Sequence, residues 1–584
     1  MKRDFYCGEI RKEHVGKELK LAGWVARRRD LGNLIFIELR DRTGIVQLVF
    51  NPQENDEAHR TAKNLRPEFV AYVEGRVVER SKDTINPNMT TGEVEIQASK
   101  LQILNEAKTP PFPVEDEANV SDDVRLKYRY LDLRRPHMLR NLMLRHKAVI
   151  AARRFLDSKG FVEVETPMLT KSTPEGARDY LVPSRIHAGK FYALPQSPQL
   201  FKQLLMVSGL DKYFQIVKCF RDEDNRADRQ PEFTQIDIEM SFVRMNDVIE
   251  LVEPLLQEVY RSAGYDVKIP FRRIPYDEAM NRYGSDKPDL RFGCEINDVT
   301  AWAKSTDFRI FQQAEAVKAI VAKGCGNYSR KDIENVEAKA KEGGAAGLVW
   351  AKKSKEGLQS SILKAVGEPK VQELWQTLNA ADEDLVLLIA GNTMATNVVL
   401  GQLRLHLARQ EKWIEPNRFE FAWIIQFPLF EWDREESRHV ACHHPFTSPM
   451  PESLSLLDNN PGAAKAQAYD IVCNGYELGG GSIRIHDASV QSKVFSILKM
   501  EQAEAYQKFG FLLDALSYGA PPHGGIAIGV DRLAMLLAGE ESIREVIAFP
   551  KTSSAYCLMT DSPSEVSPKQ LNELHVSITH DDHQ

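Results

Sequence analysis

Four short stretches of this 584-residue chain carry side chains whose types and spacing suit chemistry on a charged substrate. The first, Phe220-Arg221-Asp222-Glu223, runs through Asn225-Arg226-Ala227-Asp228-Arg229-Gln230 and returns at Phe233. A hairpin with an aromatic plane and an arginine fork suits a planar base and a phosphate, because rings stack on bases and guanidinium pairs with phosphate oxygens. On the return strand Gln235, Asp237, Glu239 and Ser241 alternate with the mostly apolar Thr234, Ile236, Ile238, Met240 and Phe242. Alternation alone reads as a half-solvated antiparallel sheet; the clustered arginine, aromatic and carboxylates favour a polar face aimed at a ligand.

The second stretch, Tyr469 to His486, holds Asp470 and Glu477, two carboxylates seven residues apart that suit a hard cation such as magnesium or, equally, an acidic surface strand. Arg484 alternates there with Ser482 and His486 and fits a substrate carboxylate. The third, Gly524-Gly525-Ile526-Ala527-Ile528-Gly529-Val530-Asp531-Arg532, reads as a glycine-spaced strand entering an apolar helix. Its glycines allow a ligand close to the backbone, and Arg532 lies near a helix start, where anions are favoured. The fourth is His443-His444 before Pro445-Phe446. Cys442 and His439 stand close by in sequence, but hydrogen bonding or loop gating is read ahead of metal ligation, and a structural role stays open. No GxxxxGK[ST] loop and no GxGxxG turn is present, so side chains must hold any nucleotide.

The elements that position these groups follow from periodicity. Leu19 to Ala26, Leu34 to Arg40, Ile45 to Phe50, Phe69 to Val78 and Val94 to Ile103 read as five strands, with a helix near Asp56 to Leu65, predicting a small OB-like barrel. Thr109-Pro110-Pro111-Phe112-Pro113 with Glu115, Asp116 and Glu117 reads as a linker. Beyond it come a helix from about Pro136 to Lys159 and strands near Phe161 to Glu165, Tyr213 to Arg221 and Phe233 to Phe242. From about Lys287 to Pro416 the text turns to helices and short strands around Gly343-Gly344-Ala345-Ala346-Gly347, as in an inserted domain. Strand-like text resumes at Phe419, and a polar tail follows Lys551, with His580 to Gln584 expected to be mobile. No repeat of fixed period is present.

A formal charge of −7 excludes a globally basic nucleic-acid coat, yet residues 1–50 carry eleven Lys and Arg against seven Asp and Glu. Seven scattered cysteines without a CxxC pair signal neither a disulfide framework nor zinc and fit a reducing compartment. The N-terminus shows no apolar signal segment, and the strongest apolar run, Leu385 to Ala390, is far short of a membrane span, so a soluble cytoplasmic protein is expected.

Taken together these strings resemble the class II aminoacyl-tRNA synthetases, and the match to bacterial-type aspartyl-tRNA synthetases of class IIb extends over nearly the whole chain. Three class motifs occur in order: a helix and strand ending in Thr166-Pro167, Phe220 to Phe233, and Gly529-Val530-Asp531-Arg532. The aspartate subtype rests on Thr173-Pro174-Glu175-Gly176-Ala177-Arg178-Asp179-Tyr180, on Gln196-Ser197-Pro198-Gln199-Leu200-Phe201-Lys202-Gln203 and on His443-His444-Pro445-Phe446-Thr447-Ser448-Pro449.

The resemblance implies a multidomain α+β protein with an N-terminal OB-fold β-barrel, a class II antiparallel-sheet catalytic domain and an inserted α+β domain of the GAD type. Its expected divisions are 1–106 for the anticodon-binding barrel, 107–134 for a linker, 135–286 and 417–555 for the catalytic domain, 287–416 for the insertion and 556–584 for a C-terminal extension. It implies ATP and magnesium, with L-aspartate and tRNA(Asp) as partners of a homodimer, and neither membrane nor DNA. Arg221 and Arg532 would be catalytic. ATP would meet Arg221, Asp222, Glu223, Gln230, Phe233, Glu477, Gly529, Val530, Asp531 and Arg532, with Phe233 and Arg532 on the two faces of adenine. Asp470 and Glu477 would hold magnesium. Glu175, Gln199 and Asp237 would surround the substrate amino group, Lys202 and Arg484 its side-chain carboxylate, with Arg221 at the activated carboxyl and His443 closing over the pocket.

Two cations around a buried carboxylate would reject the neutral amide of asparagine. In the barrel, Arg28, Arg29, Phe36, Gln47 and Glu95 match anticodon-reading positions, although Phe36 also suits a barrel core. Leu31, in the Arg-Arg-Arg-Asp-Leu-Gly loop, leans toward a form that charges only the aspartate tRNA. Gln426 stands where relatives often have an acid, and the insertion matches mainly through its Gly-Ala-Ala-Gly-Leu core, so its role stays open. The rival readings are asparaginyl- or lysyl-tRNA synthetases of the same class and a non-catalytic paralogue that binds RNA or a protein partner.

Overall fold

The computed structural model describes residues 2–173, 176–354 and 357–579, so the expectations placed on Glu175 and on His580 to Gln584 fall outside the described residues. Two compact units form: Met1–His146 with Asp224–Gln230 and Glu540–Val566, and Lys147–Glu223 with Pro231–Gly539 and Ser567–Gln584.

In the first unit five strands, Glu18–Leu31, Leu34–Asp41, Gly44–Phe50, Val70–Glu79 and Val94–Asn105, close into a barrel in the order first, second, third, fifth, fourth. Alternate residues point inward, as period 2 requires: Leu19 and Leu21, then Ile35, Ile37 and Leu39, then Val46, Leu48 and Phe50 form one core. Each fully buried aliphatic side chain there contributes about 1.5–3 kcal/mol. Gly23 lets the first strand lie against the second, since a Cβ there would meet the Arg40 carbonyl at 2.4 Å. The helix Asp56–Ala62 is capped by the Asn55 side chain, which accepts from Ala58 N–H.

The expected linker holds two short helices, Asp122–Lys127 and Arg129–Asp132. The fully buried Asp132 is held by Arg125 at 3.0 Å, Arg129 at 2.5 Å and Arg135 at 3.2 Å. Arg129 also donates to the carbonyls of Arg544, Ile547 and Ala548, which ties Glu540–Val566 to the N-terminal unit.

The second unit is built on an eight-stranded sheet in the order Arg272–Pro275, Phe421–Ile425, Ala468–Cys473, Tyr476–Ile483, His523–Gly529, Glu232–Ser241, Lys212–Phe220, Val162–Glu163. The outermost pair at each edge is parallel and the rest are antiparallel. Between its two halves in sequence a separate five-stranded sheet forms, with Ala316–Ala322 beside the central Leu385–Gly391. The apolar run at Leu385 is thus a strand buried on both faces between two cores, which explains its unbroken hydrophobicity. No described helix is long and apolar enough to cross a membrane.

Candidate active site and anticodon face

The ladders of the large sheet place Asp237 opposite Ala527 and Glu239 opposite Gly525, while the next ladder places Gly480 opposite Ala527 and Ser482 opposite Gly525. Asp470 lies opposite Gly480 in turn. Directly opposed residues share a face, so Phe233, Asp237, Glu239 and Asp470 rise from one side of the sheet over a floor of Gly525, Ala527, Gly529 and Gly480. The smallness of that floor is required at Gly525, where a Cβ would stand 2.2 Å from Glu239 Oε2 and 2.0 Å from the Ile238 carbonyl oxygen.

Asp237 and Glu239 are both fully buried, which overturns the half-solvated reading of their strand. Charge pairing is what permits it. Lys202, on the helix Gln199–Val207, donates to Asp237 Oδ1 at 2.7 Å and lies 3.3 Å from Glu239 Oε2. Arg484 donates through Nε to Glu239 Oε1 at 3.0 Å, through Nη2 to Oε2 at 3.2 Å and through Nη1 to Ser482 Oγ at 2.7 Å. The two cations expected to face substrate therefore already hold two carboxylates. Burial pushes the Asp237 carboxyl up despite Lys202, and its Oδ2 has no hydrogen-bond partner. Burial also works against an ionised Glu239, but Arg484 and Lys202 outweigh it and hold that carboxyl down. Gln199 donates to Gln203 Oε1 at 3.0 Å rather than into open space. His523 Nδ1 donates to the Pro521 carbonyl at 2.8 Å, which leaves Nε2 to accept from Gln203 at 3.1 Å.

Arg221 lies with its Cζ 5.1 Å from the centroid of the Phe233 ring, and its buried Nε has no hydrogen-bond partner. Arg221 N–H bonds the Pro231 carbonyl at 2.9 Å, which pins the arginine at the mouth of the hairpin. Asp222 N–H donates to the Arg178 carbonyl, and the Arg178 side chain stands 3.6 Å from the Asp222 carboxylate. Glu223 also has partners within the fold. Arg532, on the helix Val530–Ala538, donates to the Glu477 carbonyl at 2.8 Å. The side chains of Val530 and Asp531 are buried, and Asp531 Oδ2 accepts Thr234 N–H at 2.9 Å. That bond anchors the helix to the strand Glu232–Ser241. Gln230 belongs to the first unit, where its amide donates to the Lys551 carbonyl and accepts Lys551 N–H.

Asp470 Oδ1 is buried without a hydrogen-bond partner, and a Cβ on Gly480 would stand 2.6 Å from it and 3.8 Å from Glu477 Oε1. A small cradle with an orphaned carboxylate oxygen and a second carboxylate nearby suits a hard dication. Among the described residues no group of three or more His, Cys, Asp or Glu gathers for a metal. Burial pushes the Asp470 carboxyl up to about 6, His443 opposing and Glu477 adding to the rise. His443 Nε2 lies 3.7 Å from Asp470 Oδ1; burial disfavours its charge, yet Asp470 and Glu477 raise its pKa. His444 goes the other way: burial, with Arg484 and Lys202, pushes it down to about 3, so it is neutral across the working range. The loop that carries both histidines is bound to the strand end by Ile485 N–H to the Phe446 carbonyl and Ser448 N–H to the Ile483 carbonyl.

On the barrel, Arg29 donates to Gln47 Oε1 at 3.0 Å and to Glu38 at 3.2 Å, and Gln47 donates to Glu95 at 2.8 Å. Phe36 pairs opposite Arg29 on this outer face and is no part of the barrel core, so its core reading is set aside. Arg28 is drawn to Asp30 and to the Lys63 carbonyl. Leu31, at the end of its strand, is 62% exposed.

The pairing pattern put Glu239 on the polar face but nothing in the sequence marked it as the bridge between two cations. The Gln203–His523 bond joins residues 320 positions apart, so no local pattern pointed to it, whereas Ser482 lies two residues from Arg484 on the strand face already singled out.

Barrel, antiparallel sheet and arginine-bearing hairpin define the class. The family model described as tRNA synthetases class II (D, K and N) matches residues 121–553, and that described as OB-fold nucleic acid binding domain matches 19–104. Solved structures agree in fold: asparaginyl-tRNA synthetase of Pyrococcus horikoshii complexed with asparaginyl-adenylate superposes with a TM-score of 0.60 at 21% identity, covering 94% of this chain and 99% of that one. Closer in sequence are the aspartate–tRNA ligase of Bacillus licheniformis, 56% identical over 99% of this chain and 98% of its own, and that of Geobacillus kaustophilus, 54% identical over 99% of each. The aspartate–tRNA(Asp/Asn) ligase of Bacillus subtilis is 55% identical over 99% of this chain and 98% of its own. The chain belongs to the bacterial aspartate–tRNA ligase family of the class II tRNA synthetases.

Proposed function

We propose that the chain activates L-aspartate with ATP and transfers the aspartyl group to the terminal adenosine of tRNA(Asp). The observation that carries this reading is the pair Lys202 and Arg484, buried in one pocket with donor N–H groups still unassigned. An ammonium has three N–H and a guanidinium five; the bonds and ion pair described leave one on Lys202 and two on Arg484. A carboxylate is the group that accepts them, and the neutral amide of asparagine would set donor against donor. Asp237 Oδ2 remains for the substrate ammonium, with Glu175 and Gln199 as further candidates.

The substrate α-carboxylate attacks the α-phosphorus, pyrophosphate leaves, and a mixed anhydride forms. Arg221 supports the charge that develops in that in-line displacement, while Phe233 and Arg532 hold the base between a ring and a planar cation. A tRNA ribose hydroxyl then attacks the carbonyl carbon and AMP departs. Magnesium on Asp470 and Glu477 would supply charge neutralisation to the phosphates. Glu223 adds an ATP contact, and His443 closes over the pocket.

The test is pyrophosphate exchange with each amino acid in turn. Exchange with aspartate alone is expected. Exchange with asparagine or lysine would favour the sister synthetases, and none would favour a non-catalytic paralogue. A homodimer is part of the proposal, expected in light scattering at twice the 66.2 kDa of the chain. A cytoplasmic setting agrees with seven free cysteines.

Leu31 bears on tRNA choice. The reading that only tRNA(Asp) is charged meets a second one, charging of tRNA(Asn) as well. This second reading is favoured because an exposed aliphatic side chain offers no donor or acceptor to separate one base from another, while relatives of like identity carry both names. Comparable charging rates on purified tRNA(Asp) and tRNA(Asn) would establish it; a preference above about 100-fold, on the order of two mismatched hydrogen bonds, would restore the first.

A further inference from the structure

We infer that Glu239, which belongs to none of the substrate contacts proposed above, is the residue that sets the pocket's specificity for a carboxylate, by positioning Arg484 and Lys202 together. The inference rests on the reading of that pocket as the aspartate site.

Three observations carry it. Glu239 is the one described side chain that contacts both cations: Oε1 takes Arg484 Nε, and Oε2 takes Arg484 Nη2 and faces Lys202 Nζ. Its two bonds occupy one edge of the guanidinium plane and Ser482 takes one Nη1 N–H, so the two N–H left on Arg484, one on each Nη, form a fork whose direction Glu239 dictates. Second, the fold makes room for this carboxylate, because only a residue without a side chain fits at the facing position 525, where a Cβ would lie 2.2 Å from Oε2. Third, Glu239 balances charge. Lys202 and Arg484 are matched by Asp237 and Glu239, so each cation has a buried carboxylate partner supplied by the chain itself.

Position and charge predict opposite signs for one substitution, and this makes the inference testable. If Glu239 acted only as a charge, Glu239→Gln would leave the pocket one unit more positive and bind aspartate more tightly. If it positions, the glutamine NH2 turns a donor toward Arg484 or Lys202, the fork tilts, and aspartate binding weakens. The positioning role predicts an aspartate KM raised on the order of 100-fold in pyrophosphate exchange, with kcat at saturating aspartate and the ATP KM within about threefold of the parent. The aspartate-to-asparagine ratio of kcat/KM falls with it. General damage to the fold would lower kcat and raise both KM values together, which would count against the inference. Glu239→Asp keeps the charge but is one methylene too short to reach both cations. It is expected to raise the aspartate KM about tenfold, and it decides the matter if the glutamine variant does not fold. An aspartate KM unchanged or lowered in the folded variants overturns the inference. A parent enzyme without aspartate exchange would instead overturn the reading of the pocket.

Discussion

Arg484 shows how much a single side chain can be asked to do. It is almost wholly buried and its guanidinium is committed to Glu239 and Ser482 on one side, so the remaining N–H groups are fixed in direction before substrate arrives. Preorganisation of this kind lowers the cost of ordering at binding. Replacing Arg484 by leucine leaves Glu239 with Lys202 alone and removes the fork. Aspartate-dependent exchange should fall about 10³-fold, in line with breaking a buried pair, while ATP affinity measured by equilibrium dialysis stays within twofold. His444 is the counterpart that does not titrate: held at about 3, it adds no step to the pH profile above pH 5.

At the scale of elements, the glycines of Tyr476–Ile483 and His523–Gly529 are placed by cross-strand pairing under the carboxylates of neighbouring strands. Gly480 pairs with Asp470 on one side and Ala527 on the other, and Gly480→Ala would press a methyl group to 2.6 Å from Asp470 Oδ1. The half-saturating magnesium concentration for exchange should rise about tenfold, on the scale of a disturbed ligand shell, with aspartate KM at saturating magnesium little changed. The barrel offers a separate element-level test. Arg29, Gln47 and Glu95 form one hydrogen-bonded row across the outer face, next to the half-buried Phe36. Gln47→Ala breaks the row and should weaken tRNA binding in a filter assay about tenfold, the worth of a base contact of 1–3 kcal/mol, while tRNA-independent exchange is untouched.

For the whole molecule the informative quantity is how charge is distributed, because a net of −7 coexists with a basic N-terminal stretch. Inside the first unit, Glu545 receives Arg125 at 2.6 Å and faces His137 at 3.7 Å. Burial works against its ionisation, but His137 and Arg125 prevail and hold its carboxyl down at about 2 from an ordinary 4.5. A depressed carboxyl stabilises the fold fully above its unfolded value and loses that contribution as pH falls through the folded one. About 3 kcal/mol should therefore disappear between pH 4.5 and pH 2. Melting temperatures of the parent and of Glu545→Gln should differ at pH 6 and converge toward pH 2; a constant gap would show that the pair does not contribute to acid stability.

Period-2 alternation by itself determined the barrel strands and the polar face of Glu232–Ser241, and residue type determined which groups suit a base, a phosphate or a carboxylate. Those features are local, set by side-chain direction along one strand and by the chemistry of single residues. Only the tertiary structure decided that Asp237 and Glu239 are buried, that Glu239 joins Arg484 to Lys202 across 245 and 37 positions of sequence, and that Asp531 serves the backbone of Thr234. Pairing between distant strands fixes those partners, and no local pattern carries the register in which they meet. The residues Glu540–Val566 illustrate the same limit: the sequence reading divides them at 555 between the catalytic domain and a C-terminal extension, yet the carbonyls gathered by Arg129 tie them to the N-terminal unit, because a buried guanidinium must find acceptors wherever the fold supplies them.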